Sequence, residues 1–316
     1  MKVRREIVLG LVLFAVLAVA TALVFPAVDD LFIENSRWNG LSEFYMDIEP
    51  IRVHSSDRIR VLESNSTLFI LGPSRDFTLD EVDAVKGYLE SGGRVVLADD
   101  FGTGNQLLSG LGVDSRFSGE LLFDSVFYKV RPEFPRLLNF TTFDVKEVVL
   151  NYATVLSVGN GMQVLESSSP LSYIDSNGTI IPSSYPVLGW VSYGNGRLFL
   201  LSDSSVFINT MIDEPYNRVL LHELVMGQAY VDTSYSIPTR LLSVKWMIED
   251  VYGFMGRLEV LYGVVLLISF LVYRFEVSNG DEIVLDEVEQ VLNKYPEWDR
   301  MQLRWLREQR RDNGNK

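Results

Sequence analysis

The chain has 316 residues, of which 47% are hydrophobic and 22% are charged, and it contains no cysteine. The absence of cysteine excludes disulfides, thiolate metal sites and cysteine nucleophiles, and the two histidines, His54 and His222, are too few for a histidine-cluster metal site. A net charge of −14 argues against nucleic-acid binding, because phosphate groups are bound by basic surfaces.

The first predicted element is an apolar segment at residues 7–25, which carries no charge. At 1.5 Å per residue it spans about 28 Å, close to the ~30 Å hydrocarbon core of a bilayer, so it predicts a transmembrane helix. Basic residues precede it, and the positive-inside rule therefore places residues 1–6 in the cytoplasm. A cleaved signal peptide is the alternative, because residues 20–22 have the A-x-A spacing of a cleavage site.

Strand and helix signals alternate in the next part of the chain. Apolar runs predict three strands, at residues 51–54, 67–71 and 95–98. Thr78 and Glu81 have the spacing of a capping box at the start of a helix, and Gly92 and Gly93 are typical of a helix end. Two strands joined by such a helix predict a right-handed βαβ unit in a parallel sheet.

The pattern changes at residues 114–190, where short β-type runs are separated by polar breaks. This pattern predicts an antiparallel, β-rich insertion. Residues 187–193 and 197–202 flank a Gly-Asn-Gly turn and predict a β-hairpin. Two helices are then predicted, at 217–226 and 238–251.

A second apolar segment, residues 258–273, predicts another transmembrane helix, and a short buried core helix is the alternative. Two spans would make the chain a two-pass cell-membrane protein with both termini in the cytoplasm. Residues 26–257 would then form an extracytoplasmic α/β domain, and residues 274–316 a cytoplasmic tail with two amphipathic helices, at 283–295 and 298–310. We expect this tail to contact a partner or the membrane surface, and a partly ordered tail is the alternative.

A polar, glycine-rich loop follows the strand predicted at 95–98. Its candidate ligand-binding residues are Asp99, Asp100, Gly102, Gly104 and Asn105. Ligands of α/β proteins bind at this edge of the sheet, and together with Asp203 the loop would supply three carboxylates for Mg²⁺ or Ca²⁺. The loop's backbone N–H groups could also hold a phosphate. The alternative is structural: one aspartate caps the next helix, and the glycines serve the turn.

Other catalytic patterns have little support. His222 lies within a predicted apolar helix, and His54 is 168 positions away from it. No serine occurs in a G-x-S-x-G motif, so Ser-His-Asp catalysis has no local support. No cofactor is predicted, and no metal-binding residue is assigned.

Three stretches, residues 36–44, 77–113 and 193–209, carry a resemblance to a known family. The first two resemble the family called domain of unknown function 4350, and the third, with Asp203 and Asn209, is similar to auxiliary proteins of ABC transporters and gliding-motility systems. The resemblance implies a flavodoxin-like sheet, similar to class I glutamine amidotransferases, at the outer face of a prokaryotic, archaeal membrane. It also implies a MoxR-type AAA+ ATPase as partner.

Amidotransferase activity does not follow from this resemblance, because that chemistry requires a cysteine and the chain has none. We therefore expect a membrane-anchored, non-catalytic binding or scaffold protein that contacts a cytoplasmic partner through residues 275–316. The alternative is an extracytoplasmic metal-dependent hydrolase that uses Asp99, Asp100 and Asp203.

Overall fold

A computed structural model describes residues 27–138, 140, 142–176, 178–255 and 297–313, with isolated positions elsewhere. The chain divides into two units, Met1–Lys245 and Trp246–Lys316. The first unit contains all the strands found among the described residues. Its elements in chain order are α1 (Ser42–Ile48), β1 (Ile51–Val53), α2 (Ser56–Ile59), β2 (Thr67–Leu71), α3 (Leu79–Glu90), β3 (Arg94–Ala98), α4 (Gly104–Gly110), β4 (Arg116–Phe117), β5 (Leu122–Asp124), β6 (Arg136–Leu138), β7 (Glu147–Val149), β8 (Leu156–Ser157), β9 (Met162–Ser167), β10 (Ser172–Ser176), β11 (Thr179–Pro182), β12 (Pro186–Tyr193), β13 (Gly196–Leu201), α5 (Asn217–Leu224) and β14 (Ala229–Asp232). Helix α6 (Arg240–Met255) crosses the boundary between the units, and α7 (Arg300–Asn313) lies in the second.

A seven-stranded mixed sheet forms the centre of the first unit, in the order β1-β14-β2-β3-β13-β12-β9. The first five strands are parallel, and β12 and β9 extend the sheet through antiparallel pairing. The predicted βαβ unit is confirmed, because β2 and β3 pair in parallel and α3 connects them. The predicted hairpin is confirmed as β12 and β13.

Strand β14 was not predicted, although it lies inside the sheet between β1 and β2. It has four residues, all buried, so the alternation of apolar and polar residues that marks a half-buried strand is absent. Strands β4 to β11 lie in the region predicted as an insertion, and apart from β9 they form three small antiparallel sheets.

Both faces of the central sheet are covered. All five residues of β2 are buried, as a parallel strand between two layers requires. Phe69 packs on one face, where its ring meets that of Phe44 edge-to-face at a centroid distance of 5.3 Å. Leu68 and Ile70 pack on the other face, against α3.

The predictions of two transmembrane helices and of a two-pass membrane localisation are wrong for the described part of the chain. None of the described helices is both long enough and apolar enough to cross a membrane. Helix α6 has 16 residues, which is about 24 Å of helix against a ~30 Å hydrocarbon core. Most of the predicted segments, 7–25 and 258–273, lies outside the described residues.

Helix α7 overlaps the second helix predicted in the tail. Met301, Trp305 and Leu306 are exposed on it. The helix predicted at 283–295 lies largely outside the described residues. Partner binding through residues 275–316 stays a prediction.

The capping box at the start of α3 supplies a direct stability test. The Thr78 hydroxyl accepts from the Glu81 N–H at 3.3 Å, and the Glu81 carboxylate accepts from the Thr78 N–H at 2.8 Å. We expect Thr78→Ala to lower the free energy of unfolding by about 1 kcal/mol, because one helical N–H loses its partner. Denaturant unfolding measures this change.

Ser55→Ala is the matched control, because Ser55 precedes α2 but its side chain makes no capping hydrogen bond. We expect this control to change stability by less than about 0.5 kcal/mol. Equal losses in the two variants would contradict the capping account.

Candidate functional site

Three buried aspartates lie where parallel strands of the central sheet end. Asp99 directly follows β3, Asp203 follows β13 after one serine, and Asp232 is the last residue of β14. Their exposed fractions are 1%, 0% and 5%. Since parallel strands share their carboxyl edge, these side chains define an acidic edge of the sheet, and we call it the carboxyl edge.

The carboxylate of Asp99 is committed to its own loop. One oxygen accepts from the N–H groups of Asp100 and Gly102, both at 2.9 Å, and the other accepts from Gly104 N–H at 2.7 Å. Gly104 is the first residue of α4, so Asp99 satisfies a donor at the start of that helix. These contacts agree with the structural alternative given by the sequence, in which one aspartate caps the next helix.

The two glycines leave room for the carboxylate. A Cβ atom at Gly102 would lie 2.3 Å from the carbonyl oxygen of Pro73 and 2.6 Å from Oδ1 of Asp99, and one at Gly104 would lie 2.6 Å from Oδ2. Any other residue at either position would push the carboxylate away from the N–H groups that it accepts. The glycines are thus explained by close packing around Asp99.

Asp203 performs a similar role on the neighbouring strand. Its oxygens accept from Asn151 N–H at 2.6 Å and from Ser205 N–H at 2.7 Å, so it joins the end of β13 to a distant loop. Asp100 accepts from Phe101 N–H at 2.8 Å and from the Ser204 hydroxyl at 3.2 Å. The structure thus brings Asp99, Asp100 and Asp203 to one region of the edge.

Burial dominates the electrostatics of these groups. It raises the pKa of Asp203 to about 8, and the nearby Asp100 charge adds to the rise while backbone donors oppose it. Burial also raises the pKa of Asp99 to about 6, again opposed by the N–H groups of Gly104 and Gly102. The pKa of Asp100 is raised by the same cause.

The two candidate asparagines bind backbone. Asn105 exchanges two hydrogen bonds with the backbone of Phe117, at 2.8 and 2.9 Å. Asn209 accepts from Glu43 N–H at 2.9 Å and donates to the carbonyl oxygens of Asn35 and Arg37 at 3.1 and 2.5 Å. Asn209 therefore connects its loop to residues 35–43, and its placement in a ligand-binding site stays a prediction.

The histidines have separate surroundings. His54 follows β1, and its Nδ1 lies 3.0 Å from the Thr233 hydroxyl. His222 lies on α5 with its Nε2 3.0 Å from a carboxylate oxygen of Asp47, and its side chain is about half exposed. Within the described ranges, no group of three or more histidine, aspartate or glutamate side chains is arranged to hold a metal ion.

Asp232 and Tyr235 are buried edge residues that the sequence analysis did not select. One oxygen of Asp232 accepts from the N–H and the hydroxyl of Ser234, at 2.7 and 2.6 Å. The other oxygen and the Tyr235 hydroxyl are buried and have no hydrogen-bond partner in the described part of the chain. Burial raises the pKa of Asp232 to about 6. The sequence signal that could have identified Asp232 is an aspartate at the end of an apolar run, as at Asp99.

Together, these features define an α/β domain whose carboxyl edge is closed by buried aspartates and which has no cysteine nucleophile. The chain belongs to the family described as Domain of unknown function (DUF4350), whose family model matches residues 33–225. The resemblance identified from the sequence is thereby confirmed at the level of the family. The amidotransferase-like fold is not confirmed.

Several solved structures are distantly similar. The mmIFT52 N-terminal domain has 19% identity and a TM-score of 0.43 over 54% of this chain and 80% of that chain. Cytoplasmic Protein STM1381 from Salmonella typhimurium LT2 has 14% identity and a TM-score of 0.30 over 55% and 76%. The exo-beta-1,4-mannosidase Op5Man5 from Opitutaceae bacterium strain TAV5 has 12% identity and a TM-score of 0.32 over 52% and 25%. No curated protein matches the chain. Likenesses this weak carry no functional argument.

The raised pKa of Asp203 predicts a pH dependence of stability. An aspartate in an unfolded chain has a pKa of about 3.9, whereas that of folded Asp203 is about 8. Between these values the folded protein holds a proton that the unfolded chain has lost, so this group makes the free energy of unfolding fall as pH rises. We expect Asp203→Asn to flatten the fall between about pH 5 and pH 8, measured by denaturant unfolding.

Asp83→Asn is the control, because Asp83 is exposed on α3. It should keep the wild-type pH profile. Superimposable profiles for all three proteins would contradict the assigned titration.

Proposed function

We propose that the first unit is a non-catalytic binding domain. The observation that carries this proposal is that Asp99 and Asp203 accept hydrogen bonds from backbone N–H groups. Both side chains therefore stabilise loops at the edge of the sheet where an α/β enzyme would hold its reacting groups. The absence of cysteine from the chain supports the same reading.

A metal-dependent hydrolase has less support. A Mg²⁺ or Ca²⁺ site needs several oxygen ligands that face one open position. Asp99 and Asp203 are 1% and 0% exposed, so reaching a metal would require them to give up the backbone contacts that hold their loops.

An exposed aromatic side chain favours recognition at this edge. Phe101 directly follows Asp100, and 57% of it is exposed. The hydrogen bonds of Asp99 to Asp100, Gly102 and Gly104 hold the loop on both sides of the ring. Aromatic residues on rigid elements are frequent anchors of binding surfaces, because little conformational entropy is lost when they are covered. We propose that Phe101 contributes to such a surface.

The stability of an Asp99 variant distinguishes a structural carboxylate from a catalytic one. We expect Asp99→Ala to lower the free energy of unfolding by about 1–3 kcal/mol, because three backbone N–H groups lose their acceptor. A catalytic carboxylate usually behaves in the opposite way, since functional groups tend to be held at a cost in stability. Denaturant unfolding measures the change, with Asp83→Ala as the exposed control.

A stabilising Asp99→Ala substitution would contradict the proposal. So would calorimetric binding of Mg²⁺, Ca²⁺ or Mn²⁺ at up to millimolar concentration that Asp99→Asn and Asp203→Asn both abolish.

A further inference from the structure

Two arginines lie side by side at the opposite edge of the sheet, where the parallel strands begin. Arg94 is the first residue of β3 and Arg197 the second residue of β13, and they are direct register partners across this parallel pair. Register partners point to the same face of a sheet, on strands about 4.8 Å apart. Like charges in this arrangement destabilise a sheet unless an opposite charge neutralises them.

Neither arginine has a carboxylate partner in the part of the chain that the structure describes. The ion pairs found there use other basic residues throughout. The chain nevertheless carries 42 acidic residues against 28 Lys and Arg. Two adjacent, unneutralised guanidinium groups in so acidic a protein are the unexplained feature.

Both guanidinium groups are held in place without a carboxylate partner among the described residues. Arg94 donates to the carbonyl oxygens of Leu224 and Glu223 at 2.9 and 3.3 Å, at the end of α5, and lies over the Phe199 ring at 5.1 Å. Arg197 lies over the Trp190 ring at 4.5 Å. Burial lowers the pKa of Arg94, and the Arg197 charge lowers it further. Stacking on aromatic rings fixes a guanidinium while leaving N–H groups on its edge for a ligand.

Arg94 and Arg197 are among the residues that line a pocket of about 280 Å³, and Asn65, Gly92, Gly93 and Asn195 also line it. The glycines precede β3, and Asn195 precedes β13, so the pocket lies between the loops that enter the two strands. No carboxylate lines it. Its volume is near the lower end of the range for small-molecule sites.

We propose that this pocket binds an oxyanion, the phosphate or carboxylate group of a small molecule, between Arg94 and Arg197. Phosphate and carboxylate oxygens both match the planar donor geometry of a guanidinium and form charge-assisted hydrogen bonds with it. The bound anion would remove the repulsion between the paired arginines. This site is separate from the carboxyl edge, so it stands or falls independently of the proposed role of Phe101.

Calorimetry and thermal unfolding of the full chain test the proposal. The probes are inorganic phosphate and succinate, each compared with potassium chloride at equal ionic strength. We expect phosphate, succinate or both to raise the melting temperature above the chloride value. Arg197→Gln should weaken binding about tenfold or more, because it removes one charged fork.

Arg60→Gln is the matched control, since it changes the net charge equally at an arginine that is ion-paired with Asp80. It should bind like the wild type. Without anion, Arg197→Gln should unfold within a few degrees of the wild type, because the lost like-charge contact and the lost stacking on Trp190 oppose each other. This result would separate a binding defect from a folding defect.

A response to phosphate and succinate no larger than the response to chloride would overturn the proposal. Equal affinity in the wild type and Arg197→Gln would overturn it as well. A response to only one anion would support the site and assign its ligand to the phosphate or the carboxylate class.

Discussion

The carboxylate of Asp99 accepts three backbone N–H groups at the point where β3 ends, and the local architecture depends on these bonds. They turn the chain, satisfy the first donor of α4 and set the spacing that only glycine allows at residues 102 and 104. Buried backbone donors without partners would cost about 1–3 kcal/mol each, so the loop could not keep this shape without the carboxylate.

The two edges of the parallel sheet carry opposite charges in different environments. At the carboxyl edge, buried aspartates are surrounded by N–H donors, and burial raises their pKa values. At the opposite edge, where the parallel strands begin, Arg94 and Arg197 line an open pocket and have no carboxylate partner among the described residues. The buried aspartates stabilise the loops of the domain itself, whereas the two arginines keep a positive charge that a bound ligand would neutralise.

Local signals explain which elements were predictable. The unit β2-α3-β3 was predicted because its strands are continuous apolar runs and Thr78 and Glu81 mark the helix start. Strand β14 was missed because its identity depends on pairing with β1 and β2, which are distant in sequence. The transmembrane prediction was wrong for the described helices, because local apolar content was taken as evidence of a span.

The candidate site was predictable in position but not in role. A polar loop after a buried strand indicated the carboxyl edge, and Asp99 to Asn105 lie there. Which N–H groups face the Asp99 carboxylate depends on the folded loop, so capping and metal binding stayed open alternatives. The pairing of Arg94 with Arg197 was not predictable, because it follows from the register of two strands about 100 residues apart.

The central claim is that Asp99 and Asp203 hold the loops of the carboxyl edge together. Hydrogen exchange of the Gly104 and Asn151 amides tests it most directly, because these N–H groups donate to the two carboxylates at 2.7 and 2.6 Å. We expect both amides to exchange as slowly as those of β3 and β13, since exchange requires the loops to open and the buried hydrogen bonds to break. Exchange as fast as that of exposed loop amides would contradict it.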